Sequence, residues 1–267
     1  MLIYFREIIV SLPLALIKAG KNFGVKGAWL AFCDIALTLI PFPVDLPGFG
    51  KLTRRNEARS LLDNFCLGEL RCGEVESAIK STPEPVIIDL GVNLGMSIRW
   101  WFALNNRARV SGVEMMQESL DYTAERLKEA HPGCAWTPVC CAVAAADAEP
   151  MEIHYSDPLE GTNSAKDATG GRKRIVPVRC LDSIFNDSST EVTLLKCDIE
   201  GFGGFALQGG REVLRRTKFV VTETHGADEM ELMSKELLAA GFVPFQLSSR
   251  SLWWRRPHTG EVQANTL

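Results

Sequence analysis

Five residues of this 267-residue chain stand where chemistry could be done: Asp89, Glu114, Asp198, Glu200 and His225. Each closes or closely follows an apolar run of the kind that forms a buried strand. Asp89 ends Val86-Ile87-Ile88, and Gly91 and Gly95 then bracket Val92-Asn93-Leu94 before a helical pattern begins. Glycine in such a turn permits positive φ and removes a side chain that would hold a ligand off the backbone. A strand–turn–helix of this kind presents backbone N–H groups to a polar ligand. The spacing lacks the three glycines of the dinucleotide fingerprint and the Gly-Lys-Ser/Thr of a phosphate loop. An acid before the turn, with Asn93 inside it, suits a zwitterionic amino-acid ligand such as S-adenosylmethionine, whose ammonium group can meet a carboxylate.

Glu114 ends the next apolar strand, Val110 to Glu114, roughly 20 residues past the glycine turn, where a carboxylate grips a ribose hydroxyl pair. Asp198 and Glu200 follow the β-branched run Val192 to Cys197. If the strand persists through them, both carboxylates point to one side. They could then orient an acceptor, hold a divalent cation or help take a proton; equally, Glu200 could serve the start of the next helix. His225 follows the strand Lys218 to Thr222, and an imidazole titrates in the range a general base needs. His131 reads as a helix stop, and His154 and His258 as surface residues.

The elements that must position these groups alternate. Strands at 86–90, 110–114, 136–143, 175–178, 192–197 and 218–222 are interleaved with helices at 98–104, 117–130, 181–185, about 202–215 and 229–240. An inserted strand is expected at 151–155, and a polar loop at 156–173, where Gly161-Thr162-Asn163-Ser164 could close over the site. Alternation implies an α/β fold with a mostly parallel sheet covered on both faces. Strands near 242–245 and 252–254 have no helix between them and suggest an antiparallel hairpin at the sheet end. The Pro/Gly-rich stretch 41–50 separates N-terminal helical segments from the rest, and a helical pattern covers 59–79. We expect an N-terminal helical extension over 1–80 and the α/β domain over 81–267.

A net charge of -4 and a pI near 5.7 argue against nucleic acid gripped through a general basic surface. Eight cysteines without a regular framework suggest a reduced, cytoplasmic protein with no zinc. The apolar stretches at 1–20 and 28–42 are too interrupted to span a bilayer. They read as helices covering the core, as a peripheral contact with the inner face of a membrane, or as an arm that makes a homo-oligomer.

Four blocks in this order resemble the FkbM family of S-adenosylmethionine-dependent methyltransferases. Ile88-Asp89-Leu90-Gly91-Val92-Asn93-Leu94-Gly95 is similar to its Asp-x-Gly-x-Asn-x-Gly loop, and Val113-Glu114 to its ribose-binding acid. Val178-Arg179-Cys180-Leu181-Asp182-Ser183-Ile184 resembles its Thr-Leu-Asp block. Leu195-Lys196-Cys197-Asp198-Ile199-Glu200-Gly201, followed by Leu207-Gln208-Gly209-Gly210, is similar to Lys-x-Asp-x-Glu-Gly and Leu-x-Gly-Ala. The chain departs from the pattern at Val92, at Met115, and at Phe202-Gly203, where Ala-Glu is usual. The resemblance implies a Rossmann-like class I methyltransferase fold with a seven-stranded sheet, and methyl transfer to an oxygen of a sugar, glycan or secondary metabolite. It assigns Asp89, Gly91, Asn93, Gly95 and Glu114 to the cofactor. Asp198, Glu200 and His225 are then expected to position the acceptor and remove its proton, directly or with a divalent cation, which nothing in the sequence indicates. A nicotinamide oxidoreductase would need the missing glycine fingerprint. A non-catalytic scaffold acting through the N-terminal arm would not need four strand-end carboxylates.

Overall fold

The computed structural model describes residues 2–37, 44–159, 171–248 and 250–257, and the side chains from residue 12 onward within these ranges. The loop at 161–164 and His258 lie outside the described residues. The chain opens with α1 (Leu2–Ala36), broken at Gly24, whose backbone is non-helical. A small hairpin of β1 (Val44–Leu46) and β2 (Gly50–Leu52) follows, then α2 (Arg55–Leu61), which runs into a π-helical turn at Leu62–Leu67. The single helical pattern read at 59–79 is therefore two helices. Gly68 (φ 97°) turns the chain into the left-handed region, and α3 (Gly73–Ser81) starts afresh.

The α/β unit then runs β3 (Val86–Leu90), α4 (Met96–Leu104), β4 (Arg109–Glu114), α5 (Gln117–Ala130) and β5 (Ala135–Cys140). Next come β6 (Ala142–Val143), β7 (Ala148–Tyr155), β8 (Arg172–Arg179), α6 (Leu181–Ile184) and β9 (Val192–Cys197). The last part is α7 (Gly203–Gln208), α8 (Arg211–Arg215), β10 (Thr217–Glu223), α9 (Ala227–Ala239), β11 (Val243–Ser248) and β12 (Ser251–Arg255).

Seven strands form one sheet in the order β11-β12-β10-β9-β3-β4-β5. The expected hairpin is present: β12 is antiparallel to both β10 and β11, and it slots between them. The pairs β10–β9, β9–β3, β3–β4 and β4–β5 are parallel. The run expected as one strand at 136–143 divides at Cys141. Its first part pairs with β4, and Ala142–Val143 leaves to join β8 and β7 in a separate three-stranded sheet.

Burial explains why these residues form this sheet. All six residues of β9 are buried, and in β3 only Val86 retains partial exposure, as expected of central strands covered on both faces. The N-terminal segment shares that core. Ala15, Ala19, Leu30, Ala31, Phe49, Leu61 and Phe65 belong to the same cluster as Ile87, Val110 and Leu194. Buried Asp34 of α1 is met by Arg55 (3.3 Å) and Arg59 (3.0 Å) of α2. The opposite face of α1 leaves Leu14, Ile17, Val25 and Trp29 exposed. No helix among the described residues is long and apolar enough to cross a membrane.

Candidate active site

Strand order reverses between β3 and β9, so a crevice opens beyond their carboxyl ends. A cleft of about 870 Å³, counted with its open mouth, lies there. Gly91, Asn93, Glu114, Asp198 and Glu200 line it, and Met115, Met116, Val143, Met151 and Val178 make an apolar wall.

The turn after β3 is built by its glycines. Gly91 has φ 82°, and a β-carbon there would stand 1.8 Å from the carbonyl oxygen of Asp198. The backbones of the two strand ends can meet only because this side chain is missing. Asn93 also sits in the left-handed region, at φ 48°. Its N–H donates to Glu114 Oε2 (3.1 Å), while Met116 N–H donates to Oε1 (3.1 Å). Glu114 is thus fixed at the rim by two amides. Burial pushes its carboxyl above the ordinary range, and those amides pull against the shift. Asn93 lines the cleft, and its buried Oδ1 has no hydrogen-bond partner within the protein.

Two residues expected in the cofactor site do not line the cleft. Asp89 is fully buried beneath it: Trp101 Nε1 donates to its Oδ2 (2.9 Å), and Lys196 Nζ lies 3.1 Å from Oδ1. Its carboxylate is held by partners inside the protein rather than presented at the cleft surface. Gly95 is the residue before α4, at φ 68°, and Thr123 of α5 packs where its β-carbon would be. Its glycine serves helix packing.

The acceptor-side residues do converge, although not on a continuing strand. β9 ends at Cys197, and Asp198 and Glu200 lie in the turn that follows. Nor does Glu200 start the next helix: the Gly203 N–H donates to Glu229 Oε1 (3.0 Å). Instead, His225 bridges the two carboxylates, with Nε2 3.2 Å from Asp198 Oδ1 and Nδ1 3.3 Å from Glu200 Oε2. The hydrogen bond to Asp198, opposed by burial and helped by Glu200, raises the imidazole pKa. For Asp198, burial works upward, but Lys196 and His225 outweigh it and hold the carboxyl at about 2. Burial raises Glu200, with His225 opposing. One ligand atom each from Asp198, Glu223 and His225 falls within 4.8 Å of the others, a spacing a small cation could use. Those carboxylates already have cations beside them: Lys196 is 3.2 Å from Asp198, and Arg250 is 3.2 Å from Glu223.

The residue-by-residue reading of the sequence passed over Lys196, a lysine inside an otherwise apolar strand. That position is itself the available signal, because a charge there must find partners.

A Gly-x-Asn turn and a strand-end acid at the switch point of a seven-stranded sheet with one antiparallel strand define a class I methyltransferase fold. A family model described as the methyltransferase FkbM domain matches residues 89–244, and the chain belongs to that family. Membership implies S-adenosylmethionine as methyl donor. The cleft fits it, with a carboxylate fixed by two amides, a side-chain-free strand end and the unpartnered acceptor of Asn93. Among solved structures, the METTL16 MTase domain is similar at 12% identity, over 88% of this chain and 80% of that one, with TM-score 0.47. The precorrin-6y C5,15-methyltransferase from Geobacter metallireducens GS-15 is also similar, at 12% identity over 68% and 84%, with TM-score 0.41. No curated protein matches.

Proposed function

We propose that the protein transfers a methyl group from S-adenosylmethionine to a hydroxyl oxygen of a sugar, glycan or secondary metabolite. The observation that carries this reading is the His225 imidazole held between Asp198 and Glu200, the two carboxylates that line the cleft. S-adenosylmethionine supplies a methyl carbon on a sulfonium centre, a donor that needs no further activation. The protein has two tasks: to align the acceptor oxygen with that carbon, and to remove a proton.

Glu114 holds the ribose hydroxyls, and Asn93 Oδ1 accepts from the ammonium group. Glu200 lines the cleft and, with its raised pKa, suits taking the hydroxyl proton as the oxygen–carbon bond forms and the carbon–sulfur pair stays on sulfur. His225 bridges Glu200 to Asp198 and holds the Glu200 carboxylate in place, and charged Asp198 keeps the imidazole oriented.

Isothermal titration with S-adenosylmethionine and, separately, NADH tests the cofactor half, with Glu114→Ala as control. Saturable binding of the sulfonium ligand alone, weakened at least tenfold in the variant, supports the reading. NADH binding, or no binding to folded protein, overturns it. A panel of hydroxyl acceptors with methyl-labelled donor tests the rest: Glu200→Gln should keep donor affinity and lose roughly 100-fold or more in transfer. Label found on nitrogen or carbon would rule out an oxygen acceptor.

A further inference from the structure

We propose that Lys196 is the positioning residue of this cleft, one ammonium that straps the cofactor turn after β3 to the acceptor-side turn after β9. Lys196 is 5% exposed, and the β3–β9 register sets it directly opposite Asp89. Its Nζ donates to the carbonyls of Gly91 (3.0 Å) and Leu90 (3.3 Å), and it lies 3.1 Å from Asp89 Oδ1 and 3.2 Å from Asp198 Oδ2. Four acceptors from two chain segments over 100 residues apart thus converge on one nitrogen.

The distribution of these contacts makes the ammonium more than a buried ion pair. Asp89 lies beneath the cleft, while Gly91 and Asp198 line it. Lys196 therefore transmits the position of one cleft wall to the other. The two walls also meet through backbone, because Asp198 N–H donates to Leu90 O (3.1 Å) and the Asp198 carbonyl abuts Gly91 Cα. That backbone contact sets the separation of the strand ends. The ammonium holds the Gly91 carbonyl and Asp198 Oδ2, while His225 holds Asp198 Oδ1, so side-chain contacts fix the carboxylate orientation that the backbone contact does not. A lysine suits this role because its compact ammonium carries three donors on a flexible stem. The cofactor part of the inference rests on the methyltransferase reading; the strap itself does not.

The test uses the full chain with Asp89→Asn, Lys196→Met and the double variant, in which no uncompensated charge is left under the cleft. Backbone amide exchange is read without ligand, and S-adenosylhomocysteine affinity is read by titration. Asp89→Asn keeps the Gly91 and Asp198 contacts and should stay within about threefold of wild type. Lys196→Met and the double variant should lose about tenfold or more in affinity, a cost on the scale of charged hydrogen bonds. Their exchange should quicken at 89–95 and 197–201, while β10 and β12 keep their protection. A folded double variant with wild-type exchange and affinity overturns the proposal. So does faster exchange spread across the whole sheet, which marks a structural role only. If wild type itself does not bind S-adenosylhomocysteine, the methyltransferase reading fails, and the ligand-free exchange still decides the strap.

Discussion

Arg99 of α4 and Glu57 of α2 form an ion pair with neither side chain exposed. The guanidinium also donates to Phe49 O (3.0 Å) and Leu94 O (3.0 Å), and Glu57 Oε2 accepts the Thr53 and Arg54 amides (2.6 and 2.9 Å). Leu94 belongs to the turn between β3 and α4, so the N-terminal segment grips that turn through Arg99. Removing one partner of a fully buried pair leaves the other charge uncompensated, at a cost of about 3–5 kcal/mol. Glu57→Gln should therefore lower Tm by roughly 6–20 °C. Glu84→Gln, which loosens the exposed Glu84–Arg107 pair (3.7 Å), should shift it by a degree or two at most. Thermal unfolding of the two variants checks both.

Gly91→Ala should abolish donor binding and destabilise the protein. The added β-carbon meets backbone oxygen at 1.8 Å in a positive-φ position, and neither strand end can yield. Gly73→Ala, at the first residue of α3 with open space around it, should be neutral or slightly stabilising. Calorimetry of the pair separates the requirement for glycine at the turn from a general effect of added methyl groups.

Asn93→Gly should part stability from binding. Glycine accepts φ 48° more readily than asparagine, so Tm should hold or rise. The variant deletes the unpartnered Oδ1, and S-adenosylmethionine affinity should fall about tenfold, the scale of one charge-assisted hydrogen bond. Unchanged affinity would show that this oxygen does not meet the ligand.

The His225–Asp198 pair predicts a pH-dependent stability. The folded imidazole pKa is raised above 6.5, so its contribution is full below 6.5 and disappears as pH rises through the folded value. Asp198, lowered from 3.8 to about 2, keeps its share above 3.8 and loses it as pH falls toward 2. Both are present between those limits. His225→Ala should cost about 1 kcal/mol at pH 5.5, after discounting for partial exposure, and markedly less at pH 9. Urea unfolding at the two pH values measures the difference, and an equal cost at both would remove the charge from the explanation.

Much of the fold was legible because its signals are local. Apolar runs of strand length, a helical period between them and the glycine turn at 91–95 are properties of neighbouring residues, and the structure returns most of them, although the helical patterns at 59–79 and about 202–215 each divide in two. The strand-end acids were legible for the same reason: a carboxylate ends a buried run where the chain reaches water. The break at Cys141 was not legible, because 136–143 reads as one apolar run whether it pairs in one sheet or two.

Residue types and local periodicity therefore determined an α/β chain with Asp89, Glu114, Asp198, Glu200 and His225 at or near the ends of its strands. Only the tertiary structure decided which of them share a cleft. Asp89 went under it and Glu114 to its rim because a charge can be buried only beside an opposite one, and Lys196 comes from a strand over 100 residues away. Strand order placed β9 against β3, and that adjacency, which no local pattern encodes, brought Asp198 to the backbone of Gly91.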